Sequence, residues 1–209
     1  MIRRLNESLE DAAEVLESEN DLLEFENRQK AERARVDARN RVYTKAAEAV
    51  YDTQKKIAAL LDGLRPDVPD YREKLARVLM LNAYVKRKTN FALLSAERDT
   101  VTAEELTLAL DESARFLSLC GMNATVERKT ARDFSNAEAA VLYDSFEVLA
   151  EFLLERSPAL LITLADGALR LMAECPIPDS LPETPGSMEA YAEDGQLYLN
   201  VTARKGGAV

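Results

Sequence analysis

Histidine is absent from the 209 residues of this chain, and cysteine occurs only twice. Without imidazole, the chain lacks the most common general base of enzymes, a frequent nucleophile or phosphoacceptor, and the commonest metal ligand. Cys120 and Cys175 are far apart in the sequence, so neither a disulfide framework nor a cysteine-based zinc site is expected. The remaining chemistry belongs to carboxylates, cations and hydroxyl groups.

Long hydrophobic runs are also missing. No stretch approaches the roughly 18 apolar residues that cross a membrane, and the first residues lead into a charged segment instead of an apolar signal core. We therefore expect a cytoplasmic protein without direct membrane insertion, or the cytosolic part of a longer membrane sensor if more chain precedes Met1. The formal net charge of -10 disfavours binding to nucleic acid or to anionic lipid.

Glycine and proline are absent before Gly63, which predicts one long helix from about Ile2 to Leu64. Apolar residues recur along it at spacings of three and four, which is typical of a coiled-coil seam and predicts a parallel homodimer. The middle of the seam is polar, and a plain coiled-coil spacer is the alternative interpretation. The predicted seam positions are Ile2, Leu5, Leu9, Ala12, Leu16, Phe25, Gln29, Glu32, Val36, Arg39, Tyr43, Ala46, Val50, Thr53, Ile57 and Leu60.

A second helix is expected from Asp70 to about Arg98, after the turn at residues 66–69. The Asp70 side chain is placed to cap the amide of Glu73. Two such helical hairpins would form a four-helix bundle in the dimer, with Asn82 and Thr89 as candidate polar residues that set the register. Its predicted apolar face comprises Leu75, Val78, Leu79, Asn82, Val85, Thr89, Ala92, Leu93 and Ala96, and the adjacent cations Lys86, Arg87 and Lys88 are interpreted as solvated rather than phosphate-binding.

The pattern becomes mixed after Val101 and predicts an α+β two-layer domain, in which helices cover one face of a mostly antiparallel sheet. Two capping boxes, at residues 102–105 and 135–138, predict helix starts. Residues 123–128 alternate as a strand does, and two Asp-Gly pairs predict tight hairpins. The predicted hairpin strands are residues 160–165 with 168–174 and residues 188–192 with 196–203, and a loose end is expected at residues 204–207.

This order of elements resembles the dimerisation bundle and ATP-binding domain of sensor histidine kinases of the GHKL ATPase superfamily. The resemblance implies a coiled coil at residues 1–34, a helical-hairpin dimerisation domain at residues 35–98 and a truncated ATPase-like domain at residues 99–209. Arg39-Asn40-Arg41-Val42-Tyr43-Thr44 is similar to the phosphoacceptor box, with Tyr43 in place of the histidine. The helix around Phe146 is similar to the N box, where Glu147 matches the conserved glutamate and Glu151 replaces the asparagine that helps to hold magnesium.

The nucleotide-binding features depart from the family pattern. Glu174-Cys175-Pro176 stands where the family has an Asp-x-Gly motif, and the short proline-rich segment 177–186 replaces the glycine-rich boxes and the ATP lid. Phosphates need amides, glycines or cations around them, and this segment offers carboxylates. We therefore expect no catalytic residue, no metal and no cofactor.

The sequence thus predicts a degenerate, non-catalytic histidine-kinase-like protein, a pseudokinase of two-component signalling. It would act as a homodimeric signalling or scaffold protein with a possible protein signalling partner. One alternative is a kinase or ATPase that binds ATP and Mg²⁺ in a reduced pocket around Glu147 and Glu151. Another is a coiled-coil adaptor for a protein partner.

Overall fold

The structure is a computed structural model that describes residues 2–67 and 70–203, with side chains described at residue 16 and from residue 18 onward. The expected loose end at residues 204–207 lies outside these ranges. The chain divides into two compact units, Met1–Thr44 and Lys45–Val209. The domain boundaries proposed from the sequence remain predictions.

Helix α1 runs without interruption from Ile2 to Asp62, as the lack of glycine and proline predicts. In the first unit Leu16, Leu22, Leu23 and Phe25 are exposed, whereas Val36 and Val42 are half-buried. The side chains of Ile2, Leu5, Leu9 and Ala12, the first four seam positions, lie outside the described residues. In the second unit Ala46, Val50 and Ile57 are buried.

The C-terminal part of the α1 seam therefore faces the chain's own core. Ile57 belongs to the main hydrophobic cluster, and Leu60 packs against it. This part of the seam is therefore not free for a second copy of the chain, because the periodicity shows which face is apolar but not which partner covers it.

Helix α2 spans Tyr71–Leu94, so it ends before the predicted Arg98. Asp70 occupies the N-cap but makes no side-chain capping hydrogen bond, and the predicted cap on Glu73 is wrong. The backbone of Asp70 has φ -90° and ψ 10°, instead of the extended conformation of a typical cap. Its carboxylate instead forms an ion pair with Lys74, 2.8 Å from Oδ2 to Nζ.

The buried face of α2 agrees with the predicted one at Val78, which is buried in the core, but otherwise differs from it. Its large buried side chains are Met80, Leu81, Tyr84 and Phe91, which belong to the same core as helices α3 (Ala103–Leu119) and α4 (Asn136–Leu154). Leu79, predicted on the apolar face, is 40% exposed. The helix thus packs first against its own domain, and a bundle with a second copy remains a prediction.

Both capping boxes are confirmed. The hydroxyl of Thr102 accepts from the N–H of Glu105, whose carboxylate accepts from the N–H of Thr102. Ser135 and Glu138 make the same reciprocal pair at the start of α4. Because all four interactions are local, three-residue spacing was sufficient to predict them.

The strands form one five-stranded sheet and one two-stranded sheet. The strands are β1 (Thr100–Val101), β2 (Asn123–Arg128), β3 (Phe134–Ser135), β4 (Ala159–Ala165), β5 (Ala168–Ala173), β6 (Ser187–Glu193) and β7 (Gln196–Thr202). The larger sheet has the order β2-β4-β5-β7-β6, in which only the β2–β4 pair is parallel. Helices α3 and α4 share their core with one face of this sheet, which confirms the α+β two-layer class.

The two hairpin turns follow the predicted chemistry. Gly167 has φ 74°, and Asp194 and Gly195 have φ 51° and 78°, the region that Gly, Asn and Asp tolerate best. The two-stranded sheet was not predicted, because strands of two residues carry no periodic pattern.

Candidate functional site

Glu147 lies on the buried side of α4 and is 5% exposed. Its Oε2 is 2.7 Å from Nζ of Lys88 on α2, and the same ammonium group lies 3.2 Å from Oδ1 of Asp144. One lysine therefore holds two carboxylates that are three residues apart on one helix face. Glu147 is therefore not a solvated surface acid, because tertiary packing places its side chain between the helices.

Burial controls the electrostatics of this cluster. It raises the pKa of Glu147 to about 7, although the charge of Lys88 acts in the opposite direction. Burial also raises the pKa of Asp144 against the effect of Lys88. The pKa of Lys88 is raised as well, since the two carboxylates more than offset the burial that alone would lower it. For both carboxylates, the loss of hydration thus raises the pKa by more than the charge of Lys88 lowers it.

Aromatic rings surround the charges. The Tyr84 ring meets those of Tyr143 and Phe146 edge to face, with centroids 6.3 and 6.2 Å apart. The Tyr143 hydroxyl is 2.8 Å from Oγ of Ser113. Within the described residues, the Tyr84 hydroxyl and Oε1 of Glu147 are buried without a hydrogen-bond partner. The surroundings are therefore apolar, and burial raises the pKa of Tyr84 well above its usual value.

Glu151 continues the same face one turn further along α4. Its Oε2 lies 2.9 Å from Nζ of Lys56 on α1. In the following turn Oε1 of Glu155 lies 3.2 Å from Nη1 of Arg77 on α2. We refer to these four carboxylates together as the acidic row of α4: Asp144, Glu147, Glu151 and Glu155.

The sequence did not reveal which carboxylates the three neighbouring cations Lys86, Arg87 and Lys88 contact. Lys88 is only 17% exposed in its side chain, and Arg87 pairs with Glu112 on α3, as does Lys86. Burial would raise the pKa of Glu112, but the hydrogen bonds from Lys86 and Arg87 lower it overall. The interpretation of this segment as a solvated face is wrong for Lys88 and Arg87, whose side chains are 17% and 24% exposed, whereas the Lys86 side chain is 58% exposed. Helical spacing indicated that these three cations point in different directions, but it could not indicate which carboxylate each of them pairs with.

Of the four carboxylates in the acidic row, Asp144 borders a cavity. This cavity of about 520 Å³ is bordered by Lys88, Asp144 and Phe91, by the polar residues Lys45 and Asn136, and by small side chains. Glu147 and Glu151 are not among its lining residues. In the described part of the chain, no group of three or more Cys, Asp or Glu residues is arranged to hold a metal ion.

Tyr43, the residue at the presumed phosphoacceptor position, lies in the first unit, whereas Glu147 and Glu151 belong to the second. Its side chain is 55% exposed. Among the described residues, no hydrogen bond reaches its hydroxyl. A tyrosine hydroxyl has a pKa near 10 and requires a base before it can attack phosphorus, and no base in the described part of the chain forms a hydrogen bond with it.

No helix in the described ranges has the length and hydropathy needed to span a membrane. No family model matches the sequence, and no curated protein matches it significantly.

Solved structures that resemble this chain include a phosphotransferase and histidine kinases. A bacterial phosphotransferase is 9% identical with a TM-score of 0.43, over 79% of this chain and 96% of that chain. The kinase domain of a blue-light activated histidine kinase from Erythrobacter litoralis is 9% identical with a TM-score of 0.41, over 74% and 93%. The histidine kinase AdeS of Acinetobacter baumannii is 12% identical with a TM-score of 0.35, over 75% and 95%. The last two are histidine kinases, the class that the sequence resembles, but TM-scores below 0.5 do not assign a function.

Proposed function

We propose that this protein is a non-catalytic, dimeric signalling or scaffold protein with the layout of a histidine kinase. One observation carries the proposal: the two carboxylates that the resemblance would assign to a magnesium-nucleotide complex are engaged in ion pairs between helices. Glu147 pairs with Lys88 and Glu151 pairs with Lys56. Binding a metal would require breaking both pairs, including one that is buried.

The same pairs suggest how a signal would pass through the molecule. Helix α1 belongs to both units, and near its C-terminal end Lys56 contacts α4 while Ile57 packs in the core. A rotation or a register change of α1 would therefore act directly on α4. Helix α2 is held to α4 through Lys88, so the movement would reach the whole helical layer.

The function is tested with ATP and magnesium. A ligand at about one hundred times its dissociation constant adds about 2.7 kcal/mol to the unfolding free energy, so thermal unfolding in millimolar Mg-ATP detects even weak binding. We expect no rise in melting temperature. A rise that Glu151→Gln abolishes would favour the alternative of a reduced ATP-binding pocket, because Glu151 is partly exposed and its replacement by glutamine preserves the side-chain shape.

A second readout addresses phosphorylation. Incubation with radiolabelled ATP is expected to leave no phosphate on the chain, since no base among the described residues forms a hydrogen bond with the Tyr43 hydroxyl. Tyr43→Phe serves as the matched control because it removes only the hydroxyl. An acid-stable label on the native chain that is absent from Tyr43→Phe would replace the scaffold proposal with a tyrosine-phosphorylating kinase.

A further inference from the structure

The five-stranded sheet has a second face that no described helix covers. Successive residues of a strand point to opposite faces, so the residues between the core positions of β4, β5, β7 and β6 share this outer side. We call it the open face. A groove of about 420 Å³ lies on it, which is within the size range of small-molecule sites.

The register places three polar residues next to one another across this groove. Arg170 on β5 is opposite Asn200 on β7, and Asn200 is opposite Glu189 on β6. Within the described residues, no ion pair or side-chain hydrogen bond reaches Arg170 or Glu189. Oδ1 of Asn200 is buried and has no hydrogen-bond partner there. An unpaired cation, an orphaned acceptor and an unpaired carboxylate therefore lie side by side.

The neighbouring row of the open face is apolar. Met172 is opposite Tyr198, and Tyr198 is opposite Tyr191, while Leu161 on β4 is opposite Met172. The two tyrosine rings stack with centroids 4.8 Å apart and an interplanar angle of 6°. Together these four side chains form an apolar floor and an aromatic wall directly beside the polar row.

We propose that this groove binds a small zwitterion, an α-amino acid with an apolar or aromatic side chain. The ligand carboxylate accepts hydrogen bonds from the guanidinium fork of Arg170, which suits a planar carboxylate. The ammonium group donates to Oδ1 of Asn200 and to Glu189. The ligand side chain lies on the row that contains Met172 and Tyr198. This proposal is independent of the proposed function.

The charges select this class of ligand over others. Neighbouring strands are about 4.8 Å apart, so Arg170 and Glu189 lie about 10 Å apart at their Cα atoms with Asn200 between them. Both side chains are long and flexible, so their charged ends can approach the two charged groups of one amino acid. A phosphate is disfavoured, because Glu189 would repel it and Arg170 is the one cation among the described residues that line the groove.

Three probes of nearly equal size separate the contributions: L-phenylalanine, 3-phenylpropanoate, which lacks the ammonium group, and 2-phenylethylamine, which lacks the carboxylate. Each is titrated into the full chain, and the backbone amide shifts of β5, β6 and β7 are followed by NMR. We expect saturable shifts with L-phenylalanine and at least about tenfold weaker binding of each analogue, since each loses a charge-assisted hydrogen bond.

Variants assign the contacts. Arg170→Gln should weaken L-phenylalanine by about tenfold or more, whereas Arg128→Gln, at an exposed position on β2 outside the groove, should leave it unchanged. Glu189→Gln should weaken L-phenylalanine but not 3-phenylpropanoate. Tyr191→Ala should weaken all three probes. Because these side chains are at least partly exposed, circular dichroism should show a native fold in every variant.

Three outcomes would overturn the proposal. The first is the absence of saturable shifts with any probe, and the second is L-phenylalanine binding that survives Arg170→Gln. The third is a change in oligomeric mass on Tyr191→Ala without any response to L-phenylalanine, which would mean that a second copy of the chain covers the open face.

Discussion

At the scale of single residues, Glu147 has a pKa that is raised by burial, unlike that of most surface acids. Its folded pKa is about 7, against 4.5 for an ordinary glutamate. At a pH between these two pKa values, Glu147 is protonated in the folded state and has released its proton in the unfolded state. The contribution of Glu147 to the unfolding free energy therefore falls as the pH rises. The fall begins near the unfolded pKa and is complete above the folded one.

Glu147→Gln removes this pH dependence. We expect the unfolding free energy of the variant, relative to the native chain, to increase by on the order of a few kcal/mol between about pH 5 and about pH 8. Urea unfolding at a series of pH values measures the difference. Glu138→Gln is a control of opposite sign, because the hydrogen bond from the Ser135 N–H lowers the pKa of Glu138. That contribution is present above the unfolded pKa and is lost in acid. A difference for Glu147→Gln that is independent of pH would contradict the burial argument.

Gly186 is required by close packing. A Cβ atom there would lie 2.6 Å from the carbonyl oxygen of Thr202 and 2.8 Å from Cγ1 of Val201. Gly186→Ala should therefore lower the unfolding free energy by about 1–3 kcal/mol, the usual cost of overpacking. Gly63→Ala is the matched control, since nothing lies within 4 Å of its would-be Cβ. Equal stability of the two variants in chemical unfolding would mean that the loop at Gly186 relaxes without cost.

At the scale of elements, helix α4 is held to α2 by the ion pairs of Lys88 with Asp144 and Glu147. Water cannot easily take the place of Lys88, because Glu147 is buried. Lys88→Met keeps the length of the side chain but leaves Asp144 and Glu147 without their shared cation. We expect a loss of about 3 kcal/mol in unfolding free energy, as for other broken buried pairs. Lys86→Met, whose side chain is 58% exposed, should cost less than about 1 kcal/mol. Similar losses in the two variants would show that the Lys88 cluster is no more than a surface pair.

Elements whose chemistry is local could be predicted from the sequence, and those decided by packing could not. The Thr102 and Ser135 capping boxes and the Gly167 turn depend on residues within three or four positions. The face of α2 depends on what Tyr84 meets in α4, and helical periodicity carries no record of that. For the same reason Glu147 and Glu151 could be identified as candidates, whereas their lysine partners could not.

At the scale of the whole molecule, the exposed apolar side chains in the first unit support a parallel homodimer. Phe25 is 60% exposed and Leu16 is 61% exposed in the single chain, and repeated exposure along one helix is typical of a surface that a partner covers. Phe25→Asp should shift the equilibrium from dimer to monomer, because it places an unpaired charge in the interface.

Light scattering at micromolar concentration measures this shift. Arg35→Asp, which lies off the predicted seam, should leave the dimer intact. Leu60→Asp is unsuitable as a test of assembly alone, since Leu60 packs against the core of its own chain. A monomeric mass for the native chain would remove the basis for signal transmission between two copies.

The single parallel pair in the sheet has a consequence for the order of folding. Strands β4 and β5, and likewise β6 and β7, are joined by two-residue turns, whereas β2 can meet β4 only after the chain has passed through all of α4. Loop closure over that length slows the pairing, so the hairpins should be structured in the transition state and β2 should join last. Stopped-flow kinetics should then show that Leu171→Ala in β5 slows refolding, while Val126→Ala in β2 mainly accelerates unfolding.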